Sequence, residues 1–190
     1  MEAGVLEIFR RRSLVEQPWK NGGGITREIA AHRDGAKLIW RLSMADVASD
    51  GPFSRFDGLM RVLTVIDGHG MELIAPGETM QADYGKPVWF SGGLDIVSKL
   101  KHGPLRDLNL IFDPQACGAA VDARLNVKAL QVSAGPSQIS VLHVMKGEVA
   151  LPSYDGASAG DTVMLRNGGL RCHADQGTDV LILTLTLKAG

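Results

Sequence analysis

The sequence has few cysteines, few aromatic residues and no long apolar run. Cys117 and Cys172 are the two cysteines among 190 residues, and no Cys-x-x-Cys pair occurs, so neither a disulfide framework nor a zinc knuckle is predicted. No stretch reaches about 18 uninterrupted apolar residues, and the N-terminal segment lacks the apolar core of a signal peptide. We therefore expect a cytoplasmic protein that does not cross a membrane.

The sequence also has no large excess of positive or negative charge. Lysine and arginine together number 20 and aspartate and glutamate 21, which gives a net charge of −1. Nucleic-acid-binding domains normally carry a basic excess or a basic stripe. No nucleic-acid partner is therefore expected.

Short apolar segments bounded by glycine, proline, aspartate or asparagine recur along the whole chain. Their lengths and their content of valine, isoleucine, leucine and threonine are typical of β-strands; they lie at residues 38–44, 60–66, 88–90, 94–100, 108–112, 139–145, 162–165 and 180–187. A 3.6-residue apolar stripe is nearly absent, and we expect only a short helix over residues 115–120 and a helical turn near residues 45–49. The pattern predicts an all-β sandwich or barrel.

An internal repeat indicates two related halves. Residues 62–68 (VLTVIDG) align with residues 141–147 (VLHVMKG), and the Gly-Gly-Leu at 92–94 aligns with that at 168–170. Ordered matches of this kind predict two structurally similar β lobes. We place them at residues 1–115 and 116–190, with strands free to cross between the lobes.

Histidines are scattered rather than clustered. The five histidines are at least 30 positions apart, at His32, His69, His102, His143 and His173. A transition-metal site needs several convergent donors. We therefore expect neither a bound metal nor any other cofactor.

Polar residues alternate with apolar ones on two of the predicted strands. Arg41 and Ser43 share one strand face, and Asp107 and Asn109 share another, because successive side chains on a strand point to opposite sides. A buried polar face needs partners and so indicates a wet or ligand-filled pocket. Alternation fixes relative but not absolute facing, so the alternative that these faces look out to solvent stays open.

Two glycine-containing loops complete the candidate features. The triplet Gly22-Gly23-Gly24 lies between polar residues, and it predicts either a backbone cradle for an anion or a plain hairpin turn. It is not a P-loop, because no Gly-Lys-Ser/Thr follows. The loop at residues 51–58 carries Phe53 and Phe56, which we expect to pack one end of the barrel; a lid over the mouth of the pocket is the alternative.

Taken together, these motifs closely resemble the HutD/Ves family. The resemblance rests, over roughly the first 112 residues, on WKNGGG at 19–24, TRE at 26–28, Trp40-Arg41 with Ser43, GPFS at 51–54, Arg61, and Asp107-Leu108-Asn109. The second half resembles the family through a looser cupin-like pattern at 143–149 and 159–165. The resemblance implies a two-lobed cupin-like fold, an RmlC-like jelly roll or bicupin barrel.

The resemblance also implies a functional setting. The HutD branch is associated with bacterial histidine-utilisation operons, where it restrains induction by sensing an acidic pathway intermediate such as N-formylglutamate or urocanate. The Ves branch is linked to environmental stress. No established catalytic mechanism comes with the family.

An acidic ligand needs cationic and amide donors, and arginine binds carboxylates with two parallel hydrogen bonds. We predict a site in which two arginines clamp a small acidic metabolite, in contact with hydroxyl, amide and carboxylate side chains. Its residues are Asn21, Thr26, Glu28, Arg41, Ser43, Arg61, Asp107 and Asn109. Glu28 and Asp107 serve there to bind ligand amides or the arginines.

Three functions remain open at this point. The first is a metal-free ligand-binding regulator. The second is an isomerase or hydrolase of a small acid, in which Glu28, Asp107 or His69 would be the acid–base group, or a metal enzyme whose ligands are distant in sequence. The third is a structural or protein-interaction module, favoured if side chains fill the pocket. A homodimer formed through exposed strands is a further expectation.

Overall fold

The computed structural model describes residues 5–152 and 154–188, and these residues are almost entirely β-strand. The strands are β1 (Val5–Phe9), β2 (Glu16–Pro18), β3 (Gly24–Asp34), β4 (Lys37–Val47), β5 (Gly51–Pro52), β6 (Met60–Asp67), β7 (Met71–Ala75), β8 (Glu78–Ala82), β9 (Val88–Ser91), β10 (Val97–Leu100), β11 (Leu105–Phe112), β12 (Cys117–Lys146), β13 (Glu148–Ala150), β14 (Ala157–Ser158) and β15 (Thr162–Leu187). The described chain contains one 3-10 turn, Arg11–Ser13. None of its helical structure is long or apolar enough to cross a membrane.

The chain divides into two compact units between residues 114 and 115. Residues 15–114 form the first unit, and residues 115–188 form the second together with residues 5–14. The N-terminal strand joins the second unit because β1 pairs antiparallel with residues 162–166 of β15.

The unit of residues 15–114 contains two antiparallel sheets. A six-stranded sheet has the order β2-β3-β4-β11-β6-β9, and a four-stranded sheet has the order β5-β10-β7-β8. Apolar side chains from both sheets form one core, with Leu63 and Val65 of β6 packed together with Met71 and Leu73 of β7. Burial of these side chains is the main stabilising contribution to the unit.

The second unit is organised around two long strands. Residues 138–146 of β12 pair on one side with residues 162–166 of β15 and on the other with residues 179–186. Its core includes Leu142, Val144, Val163 and Val180.

The repeated motif ends in both units at a glycine with positive φ. Gly68 has φ +96° and Gly147 has φ +78°, a backbone region that side chains with a Cβ rarely adopt. A Cβ on Gly68 would lie 2.8 Å from Leu105 Cβ, and one on Gly147 would lie 2.4 Å from Thr178 Oγ1. Both positions therefore require glycine.

The two predicted helical segments are wrong. Residues 114–116 form a turn and β12 begins at Cys117, while residues 45–47 complete β4. Ala119 pairs with Leu185, and Val47 pairs with Leu105. These pairings with distant strands outweigh the local preference of alanine for helix.

Candidate functional site

A cavity of about 580 Å³ lies next to the apolar core of the unit formed by residues 15–114. On β4, Ala45 and Val47 belong to the core, and Ser43 and Arg41 line the cavity further along the same face. The residues that line the cavity are Gln17, Pro18, Trp19, Lys20, Asn21, Thr26, Arg41, Ser43, Ala45, Pro52, Phe53, Ser54, Phe56, Arg61, Asp107, Asn109 and Ile111.

Strand register brings the polar side chains to one side of the six-stranded sheet. Asn109 of β11 lies opposite Ser43 of β4, and Ile111 lies between Arg41 of β4 and Arg61 of β6. Residues directly opposite one another on paired strands point to the same side. The antiparallel pairing of three strands therefore gathers polar residues that are up to about 70 positions apart in the sequence.

Arg61 is enclosed by three aromatic rings. Its Cζ lies 5.2 Å from the ring centroid of Phe53, 5.6 Å from that of Phe56 and 5.1 Å from that of Phe90, distances that allow cation–π attraction. The side chain is buried, and Nη1 donates a 3.2 Å hydrogen bond to the Ser54 carbonyl. Burial lowers the pKa of Arg61 to about 10, with the charge of Asp107 opposing this shift, so the guanidinium stays charged at neutral pH.

A chain of hydrogen bonds joins Arg61 to Asp107 through Asn109. Arg61 Nη2 donates to Asn109 Oδ1 at 2.7 Å, and Asn109 Nδ2 donates to Asp107 Oδ1. Asp107 is fully buried, and its Oδ2 has no hydrogen-bond partner among the described residues. Burial raises the pKa of Asp107 to about 7, although the charge of Arg61 and the hydrogen bond from Asn109 oppose the shift.

Arg41 presents unused hydrogen-bond donors to the cavity. Its Cζ lies 5.5 Å from the ring centroid of Phe56, and its Nε is 3.9 Å from Glu28 Oε2, which is too long for a hydrogen bond. Within the described chain, its guanidinium donates no hydrogen bond. Burial lowers the pKa of Arg41, and the charge of Glu28 opposes that effect.

The glycine triplet forms a tight turn at the edge of the cavity. Gly22 N–H donates to the Trp19 carbonyl, and Gly23 N–H donates to Asn21 Oδ1 at 3.0 Å. These amides are used within the turn, which favours the hairpin interpretation over an anion cradle. A Cβ on Gly24 would lie 2.5 Å from the Asp46 carbonyl, so the close approach of β3 to β4 requires glycine.

The structure brings together seven of the eight predicted site residues. Asn21, Thr26, Arg41, Ser43, Arg61, Asp107 and Asn109 line the cavity. Glu28 does not line it; this side chain is 43% exposed and forms the ion pair with Arg41. Thr26 Oγ1 accepts a 2.7 Å hydrogen bond from Trp19 Nε1.

Sequence reasoning left several lining residues without a role in binding. Trp19 and Lys20 belong to the motif at 19–24, and the first expectation for Phe53 and Phe56 was that they pack the end of the barrel. All four line the cavity, and the two phenylalanines contact the arginines. The signal available was the position of these residues within family motifs.

The donors in the cavity do not fit a transition metal. Three cationic side chains and one carboxylate line it, together with amides and hydroxyls, whereas such metals prefer imidazole, thiolate or several carboxylates. Across residues 5–152 and 154–188, no group of three or more His, Cys, Asp or Glu side chains is placed to hold a metal ion. His143 is buried and contacts Thr162 Oγ1 through Nδ1 at 2.9 Å.

Comparisons with known proteins agree with the family resemblance. The HutD family profile matches residues 11–182. An uncharacterised 21.2 kDa protein from the region 3′ of hutC in Pseudomonas putida is 40% identical over 115 residues, which is 58% of this chain and 60% of that protein. The alignment thus spans three-fifths of the length of this curated relative.

Two solved structures are similar over nearly the whole chain. One is a conserved protein of unknown function from Pseudomonas aeruginosa PAO1, with a TM-score of 0.84 and 30% identity over 97% of this chain and 100% of that chain. The other is HutD from Pseudomonas fluorescens SBW25, with a TM-score of 0.81, 30% identity and the same coverage. Oxalate decarboxylase from Bacillus subtilis, at 10% identity and a TM-score of 0.59 over 96% of this chain and 77% of that chain, shares the fold alone.

The fold and the cavity define a cupin-like β protein whose internal pocket is lined by arginine, amide and hydroxyl groups. The predicted all-β cupin-like fold is confirmed. The chain belongs to the HutD family, as its motifs predicted.

Proposed function

We propose that this protein binds a small acidic metabolite in the cavity and thereby regulates histidine utilisation. The observation that carries the proposal is Arg41, whose guanidinium lines the cavity and donates no hydrogen bond to a described residue. Arginine donors that face a pocket match the two oxygens of a carboxylate. The guanidinium carbon lies 5.5 Å from the ring centroid of Phe56, and a side chain that is held against a ring loses less conformational entropy on binding.

The charge and size of the cavity support an acidic small molecule. Lys20, Arg41 and Arg61 face a single carboxylate, Asp107, so the lining carries a net positive charge. A volume of about 580 Å³ falls within the range of pockets that hold metabolites and cofactors. Ser43, Asn21 and Asn109 add groups that can orient a polar ligand.

The relatives support the pathway assignment. The Pseudomonas putida relative is described by its place 3′ of hutC, and the Pseudomonas fluorescens structure is a HutD studied in a formate condition. An acidic intermediate of histidine breakdown, with N-formylglutamate and urocanate as candidates, is the ligand class we propose for this chain.

A binding panel tests the proposal. Formate, glutamate, histidine, urocanate and N-formylglutamate are titrated into the wild type, Arg41→Ala and Arg124→Ala. Arg124 is a half-exposed arginine of the second unit that pairs with Asp122 and serves as the matched control. A ligand at about 100 times its dissociation constant adds about 2.7 kcal/mol of stability, a shift in Tm of roughly 5–10 °C.

The proposal predicts such a shift for at least one pathway acid in the wild type and in Arg124→Ala, and its loss in Arg41→Ala. An equal shift in Arg41→Ala, or the absence of any shift across the panel, contradicts it.

An isomerase or hydrolase of the same acid is the second candidate. It is favoured by Asp107, a cavity-lining carboxyl whose pKa is raised by burial to about 7, because a general base works best near the operating pH. Conversion of a bound acid, followed by NMR and abolished in Asp107→Asn, would support this function. If the spectra of every acid that binds stay unchanged, the enzyme function is excluded and ligand binding remains as the proposed function.

A further inference from the structure

We propose that Asp107 selects the ligand by accepting a hydrogen bond from an N–H group that lies a few bonds from the ligand's carboxylate. This inference rests on the proposed function and names the class of acid within it: carboxylates that carry an N–H, such as N-acyl amino acids or azole carboxylic acids. It excludes plain dicarboxylates and acids that offer only oxygen acceptors.

The orientation of Asp107 is set by its neighbours. Asn109 Oδ1 accepts from Arg61 Nη2 at 2.7 Å, and Asn109 Nδ2 donates to Asp107 Oδ1. Rotation of this amide would place its NH₂ against the guanidinium and its oxygen against the carboxylate, losing both bonds. Asp107 Oδ1 is therefore occupied, and Oδ2 remains as the acceptor.

Asp107 lines the cavity and carries a buried oxygen, Oδ2, that has no hydrogen-bond partner among the described residues. The residue as a whole is fully buried. Leaving a buried charged acceptor without a hydrogen bond is costly, more so than for a neutral group. Once Asp107 is ionised, a ligand N–H removes that cost, whereas a ligand oxygen without a proton would add repulsion between lone pairs.

The positive and negative groups of the cavity lie close enough to act on one ligand. Burial lowers the pKa of Arg61, and beside this effect the charge of Asp107 raises it and the charge of Arg41 lowers it. The three charged groups therefore lie in one region of the cavity. The Cζ atoms of both arginines lie within 5.6 Å of the centroid of the same Phe56 ring. A small acid whose carboxylate binds Arg41 can therefore extend past Arg61 toward Asp107.

Matched ligand pairs test the selection. The probes are pyrrole-2-carboxylate against furan-2-carboxylate, and 3-(pyrrol-2-yl)acrylate against 3-(furan-2-yl)acrylate; each pair keeps the carboxylate and the planar ring and replaces the N–H by an oxygen acceptor. Dissociation constants are measured by calorimetry at about pH 8.5, where Asp107 is ionised. We expect the N–H member of at least one pair to bind about tenfold or more tightly than its furan partner.

The variant Asp107→Asn gives a second readout. Because Asn109 Nδ2 still needs an acceptor, the new amide places its oxygen there and its NH₂ in the cavity. The preference for the N–H member then disappears, and the furan acid binds at least as well. Asp122→Asn, in which an exposed aspartate of the second unit is changed, keeps the wild-type preference.

The outcomes separate this inference from the proposed function. If the acids bind in an Arg41-dependent way but the furan member of each pair binds equally or better, the function stands and the role of Asp107 is wrong. Retention of the N–H preference in a folded Asp107→Asn also overturns the inference. If no acid binds the wild type, both proposals fail. Should the variant not fold, the wild-type pairs decide the question alone.

Discussion

Asn109 accepts a 2.7 Å hydrogen bond from Arg61 and holds this arginine within a cage of three phenylalanine rings. The same amide donates to Asp107, so its oxygen serves the cation and its nitrogen serves the carboxyl group. One uncharged side chain thus orients two buried ionisable groups of opposite type. Loss of the amide would leave both without their partner.

Replacing Asn109 by alanine is expected to lower the free energy of unfolding by about 2–3 kcal/mol, because it leaves two buried polar groups short of a hydrogen bond. Urea unfolding at neutral pH measures the change. Gln131→Ala, which removes an exposed amide from a strand of the second unit, should cost less than about 0.5 kcal/mol. Equal stabilities of the two variants would contradict the bridging role.

We expect Asp107 to make the wild type less stable as the pH rises from about 4 to about 7. Burial raises its folded pKa to about 7, while the unfolded value is about 3.9. The folded protein therefore holds this proton where the unfolded chain releases it, and the stabilisation present below about pH 4 is lost by about pH 7. A pKa difference of about 3 units corresponds to a contribution on the order of 4 kcal/mol.

The variant Asp107→Asn isolates that contribution. Its stability relative to the wild type should increase steadily from about pH 4 to about pH 7.5. Denaturant unfolding of both proteins across this range provides the measurement, with Asp122→Asn as the exposed control. A relative stability that is flat with pH would show that Asp107 is ionised throughout.

Asp161 should show the opposite pH dependence. Burial favours its neutral form, but hydrogen bonds from Arg10 Nη1 at 2.8 Å and from the backbone amides of Arg11 and Ser158 outweigh this and lower the pKa of the carboxyl group. Its contribution is present above about pH 4 and is lost as the pH falls below that value. We expect Asp161→Asn to cost about 1–2 kcal/mol at neutral pH and progressively less in acid.

Alanine substitutions at two glycines with the same φ distinguish the cost of backbone strain from the cost of a steric contact. Gly103 and Gly147 both have φ +78°, but a Cβ on Gly103 meets open space, whereas one on Gly147 lies 3.0 Å from Thr178 Cα and closer to its hydroxyl. Gly103→Ala should therefore cost about 1–2 kcal/mol, and Gly147→Ala about 1–3 kcal/mol more. Thermal unfolding of both variants tests the difference, and equal Tm values would exclude the contact with Thr178.

Local alternation predicted part of the site, and distant pairing determined the rest. Arg41 and Ser43 share a face because a strand alternates every two residues, and this is visible in the sequence. That their face lines a cavity depends on the pairing of β11 with both β4 and β6, which alternation alone does not specify. Glu28 lies directly opposite Ser43 and shares its side of the sheet, yet its side chain is exposed and does not line the cavity.

The surroundings of Arg61 were the least predictable feature of the site. Phe53 and Phe56 lie in a nearby loop, but Phe90 comes from β9, whose pairing with β6 places Phe90 opposite Arg61. The predicted helix at 115–120 failed for a similar reason, since its alanines pair with the distal part of β15. Residue preferences do not encode partners that are tens of positions away.

During synthesis on a ribosome, β1 emerges long before residues 162–166, its partner in the sheet. Residues 15–114 contain both sheets of their unit. This part can therefore fold first, while β1 is still unpaired. An unpaired strand is a template for association between nascent chains. Glu7 within β1 and the arginines at 10–12 that follow it are charged groups of the kind that disfavour such association before residues 162–166 are synthesised.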